Sequence, residues 1–330
     1  MTSRPWLAPA GAAFAAAGDL RARLYGRGLL RRHTLAGPVI SVGNLAVGGR
    51  GKTPIVAAIA RVLLAAGERP AILTRGYART NPQDGVVVVR DRDGLRADLA
   101  RSGDEPLMLA RSLPGVSVLV SSDRYLAGRL AELQLDATVH ILDDGFQHLQ
   151  LDRDIDIVLV GRDDVAHPVT LPGGRLREPL DTLVAADAIL AADDDVVIEA
   201  TDAESVVFRT RRVLAKPEGS ELPAFAVAGV ASPERFFDDL RALGCTLVGA
   251  RAFRDHHSYT KRDVTRLTAD AKAAGAHILL TTEKDYVRLL PFRPFAMPIV
   301  AVPLTMEPDP LSEFRHWLAG SLRAARDIVG

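Results

Sequence analysis

The run Val39-Ile40-Ser41-Val42-Gly43-Asn44-Leu45-Ala46-Val47-Gly48-Gly49-Arg50-Gly51-Lys52-Thr53-Pro54 constrains the fold of this chain more than any other stretch. An apolar segment suited to a buried strand runs into a glycine-rich turn. The turn opens a helix that has Pro54 in its first turn and an apolar stripe of Ile55, Ile59, Val62 and Leu63, and Gly67 stops it. Strand, glycine turn and helix N-terminus together make a phosphate-binding loop, because glycines let backbone N–H groups approach an anion and the helix dipole favours negative charge. Gly48, Gly49 and Gly51 form the turn, Lys52 is placed to reach terminal phosphates, and Thr53 to offer a hydroxyl to Mg²⁺. The strict pattern asks for glycine at position 46, where this chain has Ala46. A chance Gly-Lys-Thr in an ordinary strand-to-helix turn is the competing explanation, and the flanking strand and helix argue against it. Arg50 sets a bulky cation where such loops usually carry a small residue, and it is either solvated or clasps a phosphate.

With 330 residues the chain has room for two domains, each with its own core. Its 41 basic and 41 acidic residues balance, so net charge gives no reason to expect a nucleic-acid partner. A single cysteine, Cys245, excludes an internal disulfide and fits a reducing compartment. The segment from Trp6 to Leu30 is rich in alanine and leucine, then in arginine: Arg21, Arg23, Arg27, Arg31 and Arg32. A secretory signal and a core-packing helix are alternatives, but the stripe Ala13, Ala17, Leu20 and Leu24 with flanking arginines favours a helix lying on a membrane surface.

Beyond the phosphate loop the pattern alternates strand and helix. Pro70 to Thr74 reads as a strand ending in Arg75-Gly76-Tyr77, and Val86 to Val89 as another, in a hairpin arrangement. Gly103-Asp104-Glu105-Pro106 precedes a helix over Leu107 to Leu113, and Val116 to Val120 leads to Asp123-Arg124 and a helix from Tyr125 to Leu133. On spacing alone, the acidic residues before Leu107 read as helix caps. Thr138 to Leu142 ends in Asp143-Asp144-Gly145-Phe146-Gln147-His148, and an apolar strand closing in paired carboxylates downstream of a phosphate loop is suited to orienting Mg²⁺ or its water shell. Strands at Asp156 to Val160 and Asp187 to Ala191 bracket the loop Leu171-Pro172-Gly173-Gly174-Arg175-Leu176-Arg177-Glu178-Pro179, whose arginines and carboxylate suit phosphate and metal contact.

Residues 193–220 read as a connection with one or two strands. From Pro223 a smaller α/β unit begins, with strands at Ala224 to Val230, Thr246 to Ala250 and Ile278 to Thr282 and helices at Pro233 to Leu243 and Lys261 to Ala274. His256-His257 without further spaced ligands is weak evidence for zinc, and a histidine beside Asp255 reads better as an oriented polar or acid–base group. Thr281-Thr282-Glu283-Lys284-Asp285 lacks the residue that a guanine-reading loop needs between lysine and aspartate, which favours an adenine nucleotide.

The motifs taken in order resemble the tetraacyldisaccharide 4′-kinase (lipid A 4′-kinase) family: Val42-Gly43-Asn44 with the phosphate loop, Arg75-Gly76-Tyr77, Gly103-Asp104-Glu105-Pro106, Asp123-Arg124, Asp143-Asp144-Gly145-Phe146-Gln147-His148, Leu176-Arg177-Glu178-Pro179, Asp255-His256-His257 and Thr282-Glu283-Lys284-Asp285. The resemblance runs to about residue 290. It implies a P-loop NTPase-like α/β/α domain over residues 36–192 behind a membrane-associated segment 1–35, and a smaller α/β domain over 221–330 across a cleft. It also implies transfer of the γ-phosphoryl of ATP, with Mg²⁺, to the 4′-hydroxyl of an acylated glucosamine disaccharide 1-phosphate at the cytoplasmic face of the inner membrane. Asp104 then matches the base and His256 its partner. Gly48, Gly49, Arg50, Gly51, Lys52, Thr53, Tyr77, Arg124, His148 and Arg177 match nucleotide, phosphate or substrate positions, and Thr53, Glu105, Asp143, Asp144 and Glu178 fall at the metal. Arg50 and Ala78 depart from the family pattern at the nucleotide contacts. A nucleotide-driven switch and a non-catalytic membrane-bound nucleotide binder are the competing functions, and neither uses the Asp104 cluster.

Overall fold

The computed structural model describes residues 7–48, 51–76, 79–80, 85–193, 196 and 205–329. Three expected site residues, Gly49, Arg50 and Tyr77, lie outside the described residues, as does Ala78. The first unit comprises α1 (Ala8–Gly26), β1 (Val39–Asn44), α2 (Lys52–Ala65), β2 (Pro70–Thr74), β3 (Val87–Arg90), α3 (Leu99–Ser102), α4 (Asp104–Ser112), β4 (Ser117–Val120), α5 (Arg124–Leu135), β5 (Val139–Asp143), β6 (Ile155–Val160), α6 (Arg162–Ala166), β7 (Ala188–Ala191) and β8 (Val206–Leu214). The second comprises β9 (Ala224–Ala228), α7 (Pro233–Ala242), β10 (Leu247–Ala252), α8 (Lys261–Ala273), β11 (Ile278–Thr282), α9 (Glu283–Leu289) and β12 (Ile299–Val302), after which β13 (Leu304–Asp309) and α10 (Leu311–Val329) end the chain.

Nine strands form the large sheet in the order β13-β8-β7-β6-β1-β5-β2-β4-β3, and four form the small one in the order β10-β9-β11-β12. Within the large sheet only the edges β3 and β13 run antiparallel to their neighbours. The central strands β1, β5 and β6 are wholly buried, as a parallel sheet covered on both faces requires. Ile55, Val56, Ile59 and Leu63 of α2 lie in one core with Ile40, Ile72, Val118 and Ile141 of the sheet, each burial contributing about 1.5–3 kcal/mol. The register sets Val42 beside Asp143 and Leu73 beside Leu142, so Asn44, Thr74 and Asp143 emerge together at the carboxyl edge, where open α/β sheets bind ligands.

Two expectations change. The strand at Val87–Arg90 is not in a tight hairpin, since α3 and α4 intervene before β4, its antiparallel partner. The tail does not stay with the second unit. The ladder edge of β8, in the span expected to be a connection, is open to pairing, and β13 fills it with Leu304 opposite Leu214. The apolar stripe Phe314, Leu318 and Leu322 of α10 then packs into the large core with Phe208.

α1 is a helix as expected, but it is not core packing. Gly11 and Tyr25 face the body, while Ala13, Phe14, Ala17 and Leu20 are exposed and Leu24 is half-buried. No helix among the described residues is long and apolar enough to cross a membrane.

Candidate active site

The phosphate loop is held open by glycine. Gly48 and Gly51 have φ of 111° and 84°, in the left-handed region, and Gly51 stands at the N-cap of α2. A Cβ on Gly51 would lie 2.1 Å from Sδ of Met306, so β13 of the returning tail buttresses the loop directly. On its other flank the arginine loop is zipped to the loop entry: Val47 N donates to Arg175 O at 2.8 Å and Arg177 N to Leu45 O at 2.5 Å. Sequence spacing gave no sign of either contact.

Lys52 Nζ donates to Asn44 Oδ1 at 2.7 Å and sits 2.9 Å from Asp144 Oδ1. Asp144, at φ 56°, turns its carboxylate back toward the loop, where Arg177 Nη1 reaches both of its oxygens, at 3.1 and 2.9 Å. Burial raises the Asp144 pKa, but Lys52 and Arg177 outweigh it and hold the group below the usual carboxylate range. Asp143 next to it is buried and accepts from Thr74 Oγ1 at 3.2 Å. Burial, then the charges of Glu105 and Asp144, push its pKa up to about 7. The turn fits against β1 only because position 43 is glycine: a Cβ there would meet Phe146 Cβ at 2.5 Å.

Among the described residues no group of three ligands is already gathered for a metal. The donors nevertheless fit Mg²⁺, which keeps several waters and takes one or two carboxylates plus substrate phosphates. Asp143, Asp144 and Glu105 press like charges together, and a divalent cation relieves that repulsion. Thr53 stands beside Lys52 in the first turn of α2. Glu178 accepts from Gln147 Nε2 at 3.3 Å, and burial raises its pKa.

Arg124, at the start of α5, is buried and donates to the carbonyls of Ser121 and Ser122 at 3.3 and 3.2 Å. Burial, then Arg75, lowers its pKa. His148 is pushed down to about 4 by burial and by the cations Arg124 and Arg153, so it is neutral at pH 7. That corner is rich in positive charge, as a phosphate contact needs.

The second unit brings its own groups to the cleft. His256 lies in the segment after β10, at φ 57°, and its Nδ1 is 3.2 Å from Asp104 Oδ2, the pair that the resemblance implies. Asp104 is 5% exposed at the start of α4, its Oδ1 accepting from Glu105 N at 2.9 Å. Arg288 Nε donates to its Oδ2 at 2.8 Å. Burial would raise the Asp104 pKa, but Arg288, Lys284 and His256 together lower it. Glu105 is ion-paired with Lys284 at 2.9 Å.

Arg288 and Lys284 were given no role by sequence reasoning. The available signal was a basic pair at i,i+4 on one helix face, which alone reads as solvated surface. Asp285, in a run that lacks the spacing of a guanine-reading loop, is a buried anchor. It accepts from Gly229 N at 2.8 Å, Tyr259 Oη at 3.1 Å, Thr282 Oγ1 at 2.7 Å and Arg288 Nη1 at 3.0 Å, and so fixes the guanidinium that meets Asp104.

Known proteins are similar to this chain in sequence and in fold. The family model for tetraacyldisaccharide-1-P 4′-kinase matches residues 3–323. The tetraacyldisaccharide 4′-kinase of Geobacter metallireducens is 42% identical over 301 residues, covering 84% of this chain and 86% of that protein. That of Koribacter versatilis is 40% identical over 308 residues, covering 91% and 93%. LpxK from Aquifex aeolicus, crystallised in its "apo" form in complex with ATP, superposes with a TM-score of 0.80 at 31% identity, covering 96% of this chain and 99% of that one. Matched along nearly its whole length in both sequence and fold, the chain belongs to the tetraacyldisaccharide-1-phosphate 4′-kinase family.

Proposed function

We propose that the cleft transfers the γ-phosphoryl group of ATP to the 4′-hydroxyl of a tetraacylated glucosamine disaccharide 1-phosphate, with Asp104 and His256 activating the acceptor. Through its family the chain is an ATP-dependent kinase of lipid A biosynthesis that uses Mg²⁺. The observation that carries the residue roles is the approach of His256 to Asp104 at 3.2 Å, beside a Glu105 whose charge is felt at Asp143.

Phosphoryl transfer needs positioning and charge neutralisation more than covalent chemistry. Gly48, Gly49, Gly51 and Lys52 cradle the phosphates, and Arg50, Tyr77, Arg124, His148 and Arg177 contribute further nucleotide or acceptor contacts. Thr53, Asp143 and Asp144, with Glu105 and Glu178 around them, would hold Mg²⁺, which would offset charge on the phosphate oxygens. Asp104, kept ionised by Arg288, accepts the hydroxyl proton. A loose transition state, with catalysis mainly by positioning and charge, asks little basicity of that group. Incubation with labelled ATP and the acylated disaccharide 1-phosphate tests the reading: label must appear in the lipid, and phosphate release without acceptor would instead support a nucleotide-driven switch. Near-normal transfer by D104A would remove Asp104 from the base role.

An acylated acceptor sits in a membrane, and α1 offers a foothold. Phe14 and Leu20 are 44% and 59% exposed on the helix, and the arginine-rich stretch from Arg21 to Arg32 follows. The proposed location is peripheral, on the cytoplasmic face of the inner membrane. Removing the residues before Leu35 should reduce sedimentation with anionic vesicles, and unchanged binding would refute this assignment.

A further inference from the structure

His256 is approached from two sides. Its Nδ1 lies 3.2 Å from Asp104 Oδ2, a close ionic approach that falls outside hydrogen-bond geometry, and its Nε2 lies 2.9 Å from Lys284 Nζ. An ammonium group has donors and no acceptor, so Nε2 must present its lone pair, and the ring proton then resides on Nδ1, facing the carboxylate. Lys284 is itself fixed. Its ammonium also donates to Glu105 Oε1 at 2.9 Å, and its side chain is only 17% exposed. The helix it rides on is anchored at its first residue by Leu304 N donating to Glu283 Oε2 at 3.3 Å. The backbone of His256 is fixed as well, with its N–H donating to Asp255 Oδ1 at 2.9 Å.

We propose that Lys284 is a positioning residue for the transfer reaction: by donating to Nε2 it sets the His256 tautomer and ring orientation, so that the imidazole turns its Nδ1–H toward Asp104. This rests on the reading of Asp104 and His256 as the acceptor-activating pair. It deepens that reading by assigning each nitrogen. With Nε2 covered by an ammonium, His256 steadies Asp104 and takes no proton from the acceptor, and Asp104 is the single base. Neutral histidine otherwise favours the proton on Nε2, and without Lys284 only the Asp104 carboxylate, in an approach outside hydrogen-bond geometry, would be left to hold it on Nδ1.

The test uses the full chain labelled with ¹⁵N-histidine, with the His256 signals identified by their loss in H256N. Wild type should show a protonated Nδ1 and an unprotonated Nε2. K284R keeps a donor-only group and should keep that pattern, whereas K284M should shift the proton toward Nε2. In steady state, K284M should lower kcat about tenfold to a hundredfold, less than the roughly 10²–10⁴-fold that full general acid–base assistance supplies, because Asp104 itself remains. K284M also releases Glu105, so any change in KM for ATP reports that ion pair separately from the loss in kcat. K284R should recover most of the lost kcat. The proposal is overturned if wild type carries its proton on Nε2, or if K284M leaves the His256 pattern unchanged. Undiminished transfer by D104N would sink the base assignment while leaving the tautomer result intact, so the two failures are distinguishable.

Discussion

Replacing Arg288 by methionine tests how the site is held together. The side chains of Arg288 and Asp104 are both 7% exposed, so each depends on the other for the hydration it has lost. Removing one member of such a buried pair costs about 3–5 kcal/mol, because the remaining charge stays buried without compensation. Asp104 keeps Lys284, His256 and the Glu105 N–H nearby, so the expected loss is near the low end, about 3 kcal/mol, or roughly a hundredfold in the unfolding constant. Arg288 also donates to Asp285 and to Gly229 O, and those losses cancel in a double-mutant cycle with D104N. The coupling attributable to the pair should be about 0.5–3 kcal/mol. The pH dependence carries a second signature. In wild type the Asp104 pKa is lowered, so its stabilisation is present above the unfolded value, about 3.9, and disappears as pH falls through the folded value. Without Arg288, burial dominates, the folded pKa rises above the unfolded one, and stability declines as pH rises through it. The loss measured by urea unfolding should therefore be larger at pH 7.5 than at pH 4.5, and the acid limb of kcat should move to higher pH. Equal losses at both pH values, together with equal losses in the D104N background, would refute the reasoning.

G43A should cost about 1–3 kcal/mol by overpacking against Phe146, and should raise KM for ATP because the displaced turn carries Asp144 away from Lys52; urea unfolding and initial rates check both. Asp143, its pKa pushed up to about 7, should release about half a proton when Mg²⁺ and ATP bind near pH 7, read by calorimetry in buffers of different ionisation heat, and D143N should abolish that release. His148 at about 4 is far below its unfolded value, about 6.5, so the native state prefers the neutral ring. Its stabilisation is complete above pH 6.5 and lost as pH falls toward 4, and the stability difference between wild type and H148Q, followed by thermal melts across that range, should show this slope.

The large sheet was readable because its strands are continuous apolar runs separated by turn residues, and the phosphate loop because glycine spacing, lysine and a following helix all agree at one place. Local signals of that kind fix β1, α2, β5 and the Asp143-Asp144 turn without knowledge of anything distant. The tail was not readable. Nothing within residues 304–329 says which sheet β13 will join; that follows from the unpaired edge of β8, about 90 residues earlier, and from the core that Phe314 and Phe208 share. Met306 against Gly51 belongs to the same class of contact, since neither residue is informative until the pairing exists.

The charges in the cleft follow the same logic with a functional consequence. Asp104 and Glu105 open one helix, and Lys284 and Arg288 lie one turn apart on another; each pair alone is an ordinary cap or a solvated face. Together they form two ion pairs across the cleft, Asp104 with Arg288 and Glu105 with Lys284, of which the first is buried. Burying Asp104 without Arg288 would raise its pKa and leave a protonated acid where the proposed mechanism needs a carboxylate. The docking of α9 on α4 therefore does two things with one contact: it joins the small sheet to the large one, and it sets the protonation state of the proposed base. A kinase built this way has its proposed acceptor-activating pair assembled only while the two units are in contact, which would tie acceptor activation to the assembled cleft rather than to either half alone.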